Sequence, residues 1–113
     1  MTSERFDTYG FPAPDLEAAR RFTEARLGVR LHKRDSGYRG EYYALSLPAD
    51  GDVQLYRNEF RGRPQRSEYA DYGVLLELSR LPEMDAVRER LLAEPSPAVP
   101  LRSRTIEVAA DPD

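Results

Sequence analysis

The chain of 113 residues is 40% hydrophobic and 33% charged, which is typical of one soluble globular domain and too apolar for a disordered chain. Its net charge of −3, with 17 basic and 20 acidic side chains interspersed, is not the charge balance of a nucleic-acid-binding domain. No apolar run approaches the length needed to cross a bilayer, and the first residues do not follow the pattern of a signal peptide. We therefore expect a cytoplasmic protein that binds neither nucleic acid nor a membrane.

The usual metal-binding and nucleophilic residues are scarce. The absence of cysteine excludes disulfides, thiolate zinc sites and cysteine nucleophiles, and the single histidine, His32, excludes a histidine-rich metal site within one chain. His32 follows Leu31 in a strand-like run, so we interpret it as a strand residue rather than a metal ligand or general base. We predict no catalytic residue, no metal site and no cofactor.

The first half of the chain predicts a strand followed by a helix. The run from Phe6 to Phe11 is strand-like, and the prolines that follow it cannot donate to a strand ladder. Asp15 is placed to cap a helix, because its side chain can accept from backbone N–H groups of the first turn. Gly28 stands where the helix C-terminus favours a left-handed residue. The apolar side chains with helical spacing are Leu16, Ala19, Phe22 and Leu27.

Three strand-like runs follow this helix. The first spans residues 29–33, and the turn-forming residues Asp35-Ser36-Gly37 separate it from an alternating run over residues 41–47. Asp50-Gly51 is typical of a hairpin turn, and Val53 and Leu55 continue the alternation beyond it. The first half therefore predicts the order strand, helix, strand, strand, strand.

The second half starts with residues 58–70, a polar stretch without periodicity that predicts a long surface loop. A strand over residues 72–78 comes next, and Pro82 suits the first turn of a second helix. Three spaced apolar residues, Met84, Val87 and Leu91, predict the buried side of that helix. After a proline-rich connection we predict a short strand at Leu101 and a last strand over residues 104–109.

The segment DLEAARRFTEARLGVRL resembles the first helix of the glyoxalase/bleomycin-resistance/dioxygenase (vicinal oxygen chelate) superfamily. The positions that match its pattern D-L-x-x-A-x-x-F-(Y/T)-x-x-x-L-G are Asp15-Leu16, Ala19, Phe22 and Leu27-Gly28. The ending Ala110-Asp111-Pro112-Asp113 is similar to the turn that precedes the last strand of that family. The match covers the order of elements over most of the chain.

The resemblance implies an α+β fold in a single glyoxalase-like domain, residues 1–113. A βαβββ module, about residues 5–58, is followed by a loop, residues 59–70, and by a shortened β-α-β(β) module, about residues 71–110. The family fold further implies a mixed, curved sheet with two helices and a pocket in its cup. A shortened second module leaves a sheet edge to be paired, so we expect a homodimer.

In enzymes of this family the pocket holds a divalent metal bound by histidine, glutamine or glutamate. The corresponding positions here are Thr8 in the first strand, Arg57 and Asn58 after the fourth strand, and Asp71 and Tyr72 in the second module. The last glutamate of the family would follow the D-P-D turn, where this sequence stops. The resemblance thus implies the scaffold without the metal chemistry.

Tyrosine and arginine are enriched at binding surfaces, and aromatic residues occur near the ends of several predicted strands. We expect part of this set to line a pocket in the cup, although the same residues would serve equally well as core. Adjacent Tyr42 and Tyr43 must point to opposite faces of their strand. The predicted ligand-binding residues are Tyr9, Tyr38, Tyr43, Tyr56, Arg57, Asn58 and Phe60.

Three functional hypotheses follow from the sequence. The first is a non-enzymatic, bleomycin-resistance-like protein that sequesters a small, partly aromatic molecule. The second is a metal-dependent lyase, isomerase or dioxygenase with atypical ligands such as Asp7, Glu41 or Glu107. The third is an immunity-type or regulatory protein that binds another protein through the loop of residues 58–70.

Overall fold

The computed structural model describes residues 2–48 and 51–108 of the protein, and the side chains of Thr2 and Val108 are not described. The two helices are α1 (Leu16–Leu27) and α2 (Met84–Leu92), and a short 3-10 turn spans Ser67–Tyr69. The strands are β1 (Thr2–Phe11), β2 (His32–Ser36), β3 (Gly40–Leu47), β4 (Gly51–Arg57), β5 (Glu59–Phe60), β6 (Arg63–Pro64), β7 (Val74–Ser79) and β8 (Val99–Val108). The α+β class predicted from the sequence is confirmed.

Six strands form one sheet in the order β2-β3-β4-β7-β1-β8, and β5 and β6 form a separate small hairpin. Neighbouring strands in the large sheet are antiparallel at each of the described pairings, where we had expected a mixed sheet. The reason is that β7 lies between β1 and β4, which run in the same direction and would pair in parallel if they were adjacent. Strand β1 likewise lies between β7 and β8. The unit β7-α2-β8 therefore has one strand inserted between its two strands, and the unit β1-α1-β2 has three, β3, β4 and β7.

The limits of α1 agree with the sequence prediction. The Asp15 carboxylate accepts a hydrogen bond from the backbone N–H of Ala18 at 3.0 Å, which satisfies a donor of the first turn. Gly28 adopts φ 66°, and its N–H donates to the carbonyl oxygen of Glu24 at 2.9 Å. Local capping chemistry therefore sets both ends of this helix.

One face of the sheet packs against both helices and holds the core. Alternation along the strands brings apolar side chains of β1, β3, β4 and β7 to this face, where they meet the apolar sides of the helices. The predicted stripe of α2 is buried, and Phe11 of β1 meets Phe22 of α1 edge to face at 5.8 Å. The buried strand residues on this face include Tyr9, Phe11, Tyr43, Val53, Leu55, Val74, Leu76 and Leu78.

Strand β2 starts later than predicted, at His32 rather than at residue 29. Val29 and Leu31 pack against the core in the connection from α1, so the apolar residues of that run lie before the strand rather than within it. The predicted strand at residues 72–78 is β7, which spans Val74–Ser79. A turn was predicted at Asp50-Gly51. Gly51 is the first residue of β4, and Asp50 lies outside the described residues.

The prediction of two short strands near the C-terminus is wrong, because a single strand, β8, spans Val99–Val108. It pairs along β1 with an irregularity between Thr8 and Tyr9. Pro100 is tolerated because it lies near the start of a strand at the sheet edge, where a missing donor is not required by a neighbour. Residue 109 and the sequence Ala110-Asp111-Pro112-Asp113 lie outside the described residues.

In the described part of the chain, neither helix has the length and apolar character needed to span a bilayer.

Candidate functional site

The face of the large sheet opposite the helices, called the open face below, carries a different set of side chains. Its members alternate with the core residues along each strand, as the cross-strand register shows. They include Phe6, Thr8 and Gly10 of β1, Tyr42, Ala44 and Ser46 of β3, Asp52, Gln54 and Tyr56 of β4, Leu75, Glu77 and Ser79 of β7, and Arg102 and Arg104 of β8.

Residues 58–73, called the 58–73 loop below, cover one end of the open face. A Cβ atom added to Gly10 would approach the ring of Tyr72 to 2.6 Å, so the ring lies directly on the glycine. Arg66 of the loop donates to the Glu77 carboxylate at 2.7 Å. The predicted loop therefore has internal structure, including the β5–β6 hairpin, and it is fastened to the sheet.

Asn58 gives this loop its shape. Its side chain is only 2% exposed; its amide donates to the carbonyl oxygen of Tyr69 at 2.8 Å and its oxygen accepts from the N–H of Arg66 at 2.8 Å. Its own backbone N–H donates to the carbonyl oxygen of Gly73 at 2.9 Å. The side chain and the backbone N–H of Asn58 together join the start, the middle and the end of the loop.

Tyr56 and Glu77 form a partly buried polar contact beneath the loop. The Tyr56 hydroxyl donates to the Glu77 carboxylate at 3.0 Å, and the Arg39 guanidinium lies 4.2 Å from the centre of the Tyr56 ring. Burial, followed by the negative charge of Glu77, raises the pKa of Tyr56 well above its ordinary value. The tyrosine is therefore neutral under physiological conditions and acts as a donor.

A cavity of about 510 Å³ lies between the end of β4 and the 58–73 loop and is called the loop cavity below. Arg57 and Arg63 are exposed at this cavity, and neither forms an ion pair with another described residue. Its apolar and aromatic walls include Pro14 and Tyr72. The full lining is Pro14, Arg57, Asn58, Glu59, Gly62, Arg63, Pro64, Ala70, Tyr72 and Gly73.

Two smaller grooves lie on the open face. The first, of about 450 Å³, is formed by β3 and β4 with the end of β7, and Arg34 and Tyr42 are among its walls. The second, of about 240 Å³, is bordered by Arg66, Arg102 and Arg104 and is called the arginine groove below. The open face therefore offers concave surfaces with basic walls.

The predicted ligand-binding residues do not share one surface. Tyr9 and Tyr43 are buried in the core on the helix side, where the Tyr43 hydroxyl donates to Glu17. Tyr38 lies in the β2–β3 turn and is 91% exposed. Tyr56 is on the open face, opposite Tyr42, which confirms that Tyr42 and Tyr43 point to opposite sides.

Two of the three remaining predicted residues lie at the loop cavity. Arg57 and Asn58 line it, although the Asn58 amide is occupied by the hydrogen bonds that shape the loop. The ring of Phe60 lies beside Gly40, since a Cβ there would come within 3.2 Å of it. The structure thus brings Arg57 and Asn58 together and leaves the tyrosines elsewhere.

The three carboxylates of the metal-enzyme hypothesis do not converge. Glu41 is on β3 and Glu107 is on β8, and three strands lie between them. At about 4.8 Å per strand spacing, their backbones are roughly 19 Å apart. Asp7 is buried and accepts from Arg5, Tyr9 and Ser103, so both of its oxygens are occupied. Among the described residues, no group of three or more metal-ligating side chains is close enough to hold an ion.

Sequence reasoning missed the polar residues of the open face, namely Arg66, Glu77, Arg102 and Arg104. Glu77 is the single charge within the apolar run of β7, which indicates a position facing away from the core. Arg102 and Arg104 alternate with Ser103, so strand periodicity places both arginines on one side. These local signals were present, but only the strand order shows that they belong to one surface.

Comparison with protein-family models finds none that matches the chain, and comparison with curated proteins finds no match.

Proposed function

We propose that this is a non-catalytic binding protein that captures a small, partly aromatic anion in the loop cavity. The observation that carries the proposal is the pair of exposed arginines, Arg57 and Arg63, at a concave site next to the ring of Tyr72. A cavity of about 510 Å³ has the size of an ordinary small-molecule site. Arginine supplies a forked, planar donor that matches a carboxylate, and tyrosine supplies a flat apolar surface.

Preorganisation of the cavity supports this function. The hydrogen bonds of Asn58 hold the 58–73 loop in place, so a ligand would not have to order the loop when it binds. A Cβ atom added to Gly62 would meet nothing within 4 Å, so this part of the cavity wall leaves space for a ligand. A rigid basic site with one aromatic wall favours capture of a ligand.

The relationship to the glyoxalase superfamily is part of the proposal. The order β1, α1, β2, β3, β4 supports it, because it is the element order of the first glyoxalase-like module. In this chain β7 stands between β1 and β4, so we propose a rearranged relative rather than a standard pair of modules. The sheet-edge strands β2 and β8 support a homodimer, since an edge strand has backbone groups available for pairing.

The experiment is a titration of isotope-labelled protein with 1-naphthoate, an aromatic carboxylate, followed by amide chemical shifts. We expect saturable shifts centred on Gly62, Tyr72 and Gly73, and at least a tenfold weaker response to 1-naphthalenemethanol, which has the same ring and lacks the charge. The double variant Arg57→Gln/Arg63→Gln removes both cavity arginines. Its matched control, Arg21→Gln/Arg30→Gln, removes the same charge from exposed positions elsewhere. Equal binding by both variants would refute the proposal.

A second candidate is a protein partner contacted by the same loop. Arg57, Arg61 and Arg63 are all exposed on or beside it, which favours a partner with an acidic surface. Sedimentation of the purified protein with an identified acidic partner would give a complex that the Arg57→Gln/Arg63→Gln variant loses. Saturable naphthoate binding with no such complex would favour the small-molecule function.

A further inference from the structure

The arginine groove, on the open face and apart from the loop cavity, has a regular construction. The register of β8, β1 and β7 places Arg102 beside Thr8 and Thr8 beside Glu77. The next row on the same face has Arg104 beside Phe6, and Phe6 beside Ser79. Neighbouring strands are about 4.8 Å apart, so each row is short enough for one small group to contact two or three strands.

The positive charges of this groove are only partly compensated. Arg66 is engaged by Glu77 at 2.7 Å and by Glu68 at 2.8 Å. Arg102 and Arg104 are exposed, and neither forms an ion pair with another described residue. Glu77 lines this groove and is already paired with Arg66, and the charge of Glu68, also paired with Arg66, compensates part of the charge of Arg102. Arg102 and Arg104 therefore lie on one side of β8 without an ion pair, at positions about 7 Å apart along the strand.

The remaining lining is neutral and favours an oxyanion. The Arg104 guanidinium lies 5.8 Å from the centre of the Phe6 ring, which positions it above an apolar floor. The hydroxyls of Thr8 and Ser79 belong to the same face and border the groove. The Asp7 carboxylate is directed to the helix side, where it accepts from Arg5, Tyr9 and Ser103.

We propose that the arginine groove binds a phosphate group, either free or as a small monoester, between Arg102 and Arg104. Arginine donates in pairs to phosphate oxygens, and the two hydroxyls supply further donors to a tetrahedral anion. The groove of about 240 Å³ accepts a phosphate with a small substituent. Binding relieves the repulsion between the two guanidinium groups, which is a local reason for the site to favour a dianion.

The test is a titration with inorganic phosphate at constant ionic strength, followed by amide shifts of labelled protein. We expect saturable shifts at Thr8, Ser79 and Arg102, with affinity at least tenfold weaker in Arg102→Gln/Arg104→Gln. The control Arg21→Gln/Arg30→Gln has the same net charge and should bind phosphate like the unchanged protein. Arg102→Lys/Arg104→Lys, which keeps the charge but loses the forked geometry, should recover part of the affinity.

A parallel titration with glycerol 1-phosphate distinguishes the two sources of the group. Tighter binding of the ester identifies a monoester as the ligand, and equal binding identifies free phosphate. Absence of saturable shifts, or equal weakening in the Arg21→Gln/Arg30→Gln control, overturns the inference. The loop cavity is a separate site, so Arg57→Gln/Arg63→Gln should leave phosphate binding unchanged, and either proposal can fail alone.

Discussion

The side-chain amide of Asn58 donates a hydrogen bond to the carbonyl oxygen of Tyr69 at 2.8 Å, which closes a long surface loop on itself. The oxygen of the same amide accepts from the N–H of Arg66, so both ends of this side chain are used. A polar side chain that is 2% exposed is retained in such a place because it satisfies backbone groups that water cannot reach. The binding surface proposed at the loop depends on this residue.

Replacing Asn58 with alanine should therefore destabilise the protein by about 1–3 kcal/mol, because the backbone N–H of Arg66 loses its acceptor and the carbonyl oxygen of Tyr69 loses one of its two donors. Urea denaturation measures this loss. Amide hydrogen exchange should also become faster at Arg66 and Gly73 than at the core strands, since the loop opens first.

Gln65→Ala is the control for Asn58→Ala, because the Gln65 amide donates to backbone carbonyl oxygens outside the loop, those of Arg39 and Arg57, and is less buried. We expect it to cost less than about 1 kcal/mol. Equal stability of Asn58→Ala and the unchanged protein would contradict the assignment of Asn58 as the residue that holds the loop.

Gly28 and Gly37 are a matched pair for testing the end of α1. Neither would bring a new Cβ within 4 Å of another group, but only Gly28 has a positive φ, of 66°. Gly28→Ala should therefore cost about 1 kcal/mol from backbone strain alone. Gly37→Ala should be neutral within about 0.5 kcal/mol, and thermal unfolding of the two variants measures the difference. An equal cost would show that conformation at Gly28 does not limit stability.

The sequence was sufficient for α1 because its signals are local. Asp15 and Gly28 act within one turn of the helix they limit, and the periodic apolar residues lie between them. Local signals could not predict which strands pair with β7, since the pairing between β7 and β1 joins residues far apart in the chain. Nothing in the run Val74–Ser79 indicates which two strands will flank it.

The same distinction explains the outcome for the candidate site. Periodicity correctly separated Tyr42 from Tyr43, but it does not show which side of a strand the helices will cover. Tyr43 lies under α1, while Tyr56 lies on the open face. The sequence also could not predict the hydrogen bonds of Asn58, because they depend on where a loop without a periodic pattern turns.

The buried Tyr9 hydroxyl should make stability depend on alkaline pH. Burial, followed by the negative charge of Asp7 and the hydrogen bond to it, raises the pKa of Tyr9 to about 12. An unfolded tyrosine has a pKa of about 10, so the folded state binds the proton more tightly. The contribution of Tyr9 is fully present below pH of about 10 and is lost as the pH rises towards the folded value, by roughly 1–3 kcal/mol.

Urea denaturation at several pH values between 8 and about 11.5 measures this slope. Tyr9→Phe should reduce it, although Tyr56, whose pKa is also raised by burial, should leave part of it. Tyr38→Phe is the control, because that side chain is 91% exposed, and it should leave the slope unchanged. Identical slopes for Tyr9→Phe and the unchanged protein would exclude this origin of the pH dependence.

Asp7 distinguishes a structural carboxylate from a metal ligand. It is 1% exposed and accepts from Arg5 at 3.1 Å, from Tyr9 at 3.2 Å and from Ser103 at 2.7 Å. Asp7→Asn should cost about 2–4 kcal/mol, because it removes one of the two carboxylate partners of the half-buried Arg5 and disturbs a filled hydrogen-bond network. Glu41→Gln and Glu107→Gln, at exposed positions, should change stability by less than about 0.5 kcal/mol.

Thermal unfolding with and without EDTA completes the test, and we expect no difference, since the Asp7 oxygens are already occupied by protein donors. A large chelator effect that Asp7→Asn abolishes would instead restore the metal-enzyme hypothesis.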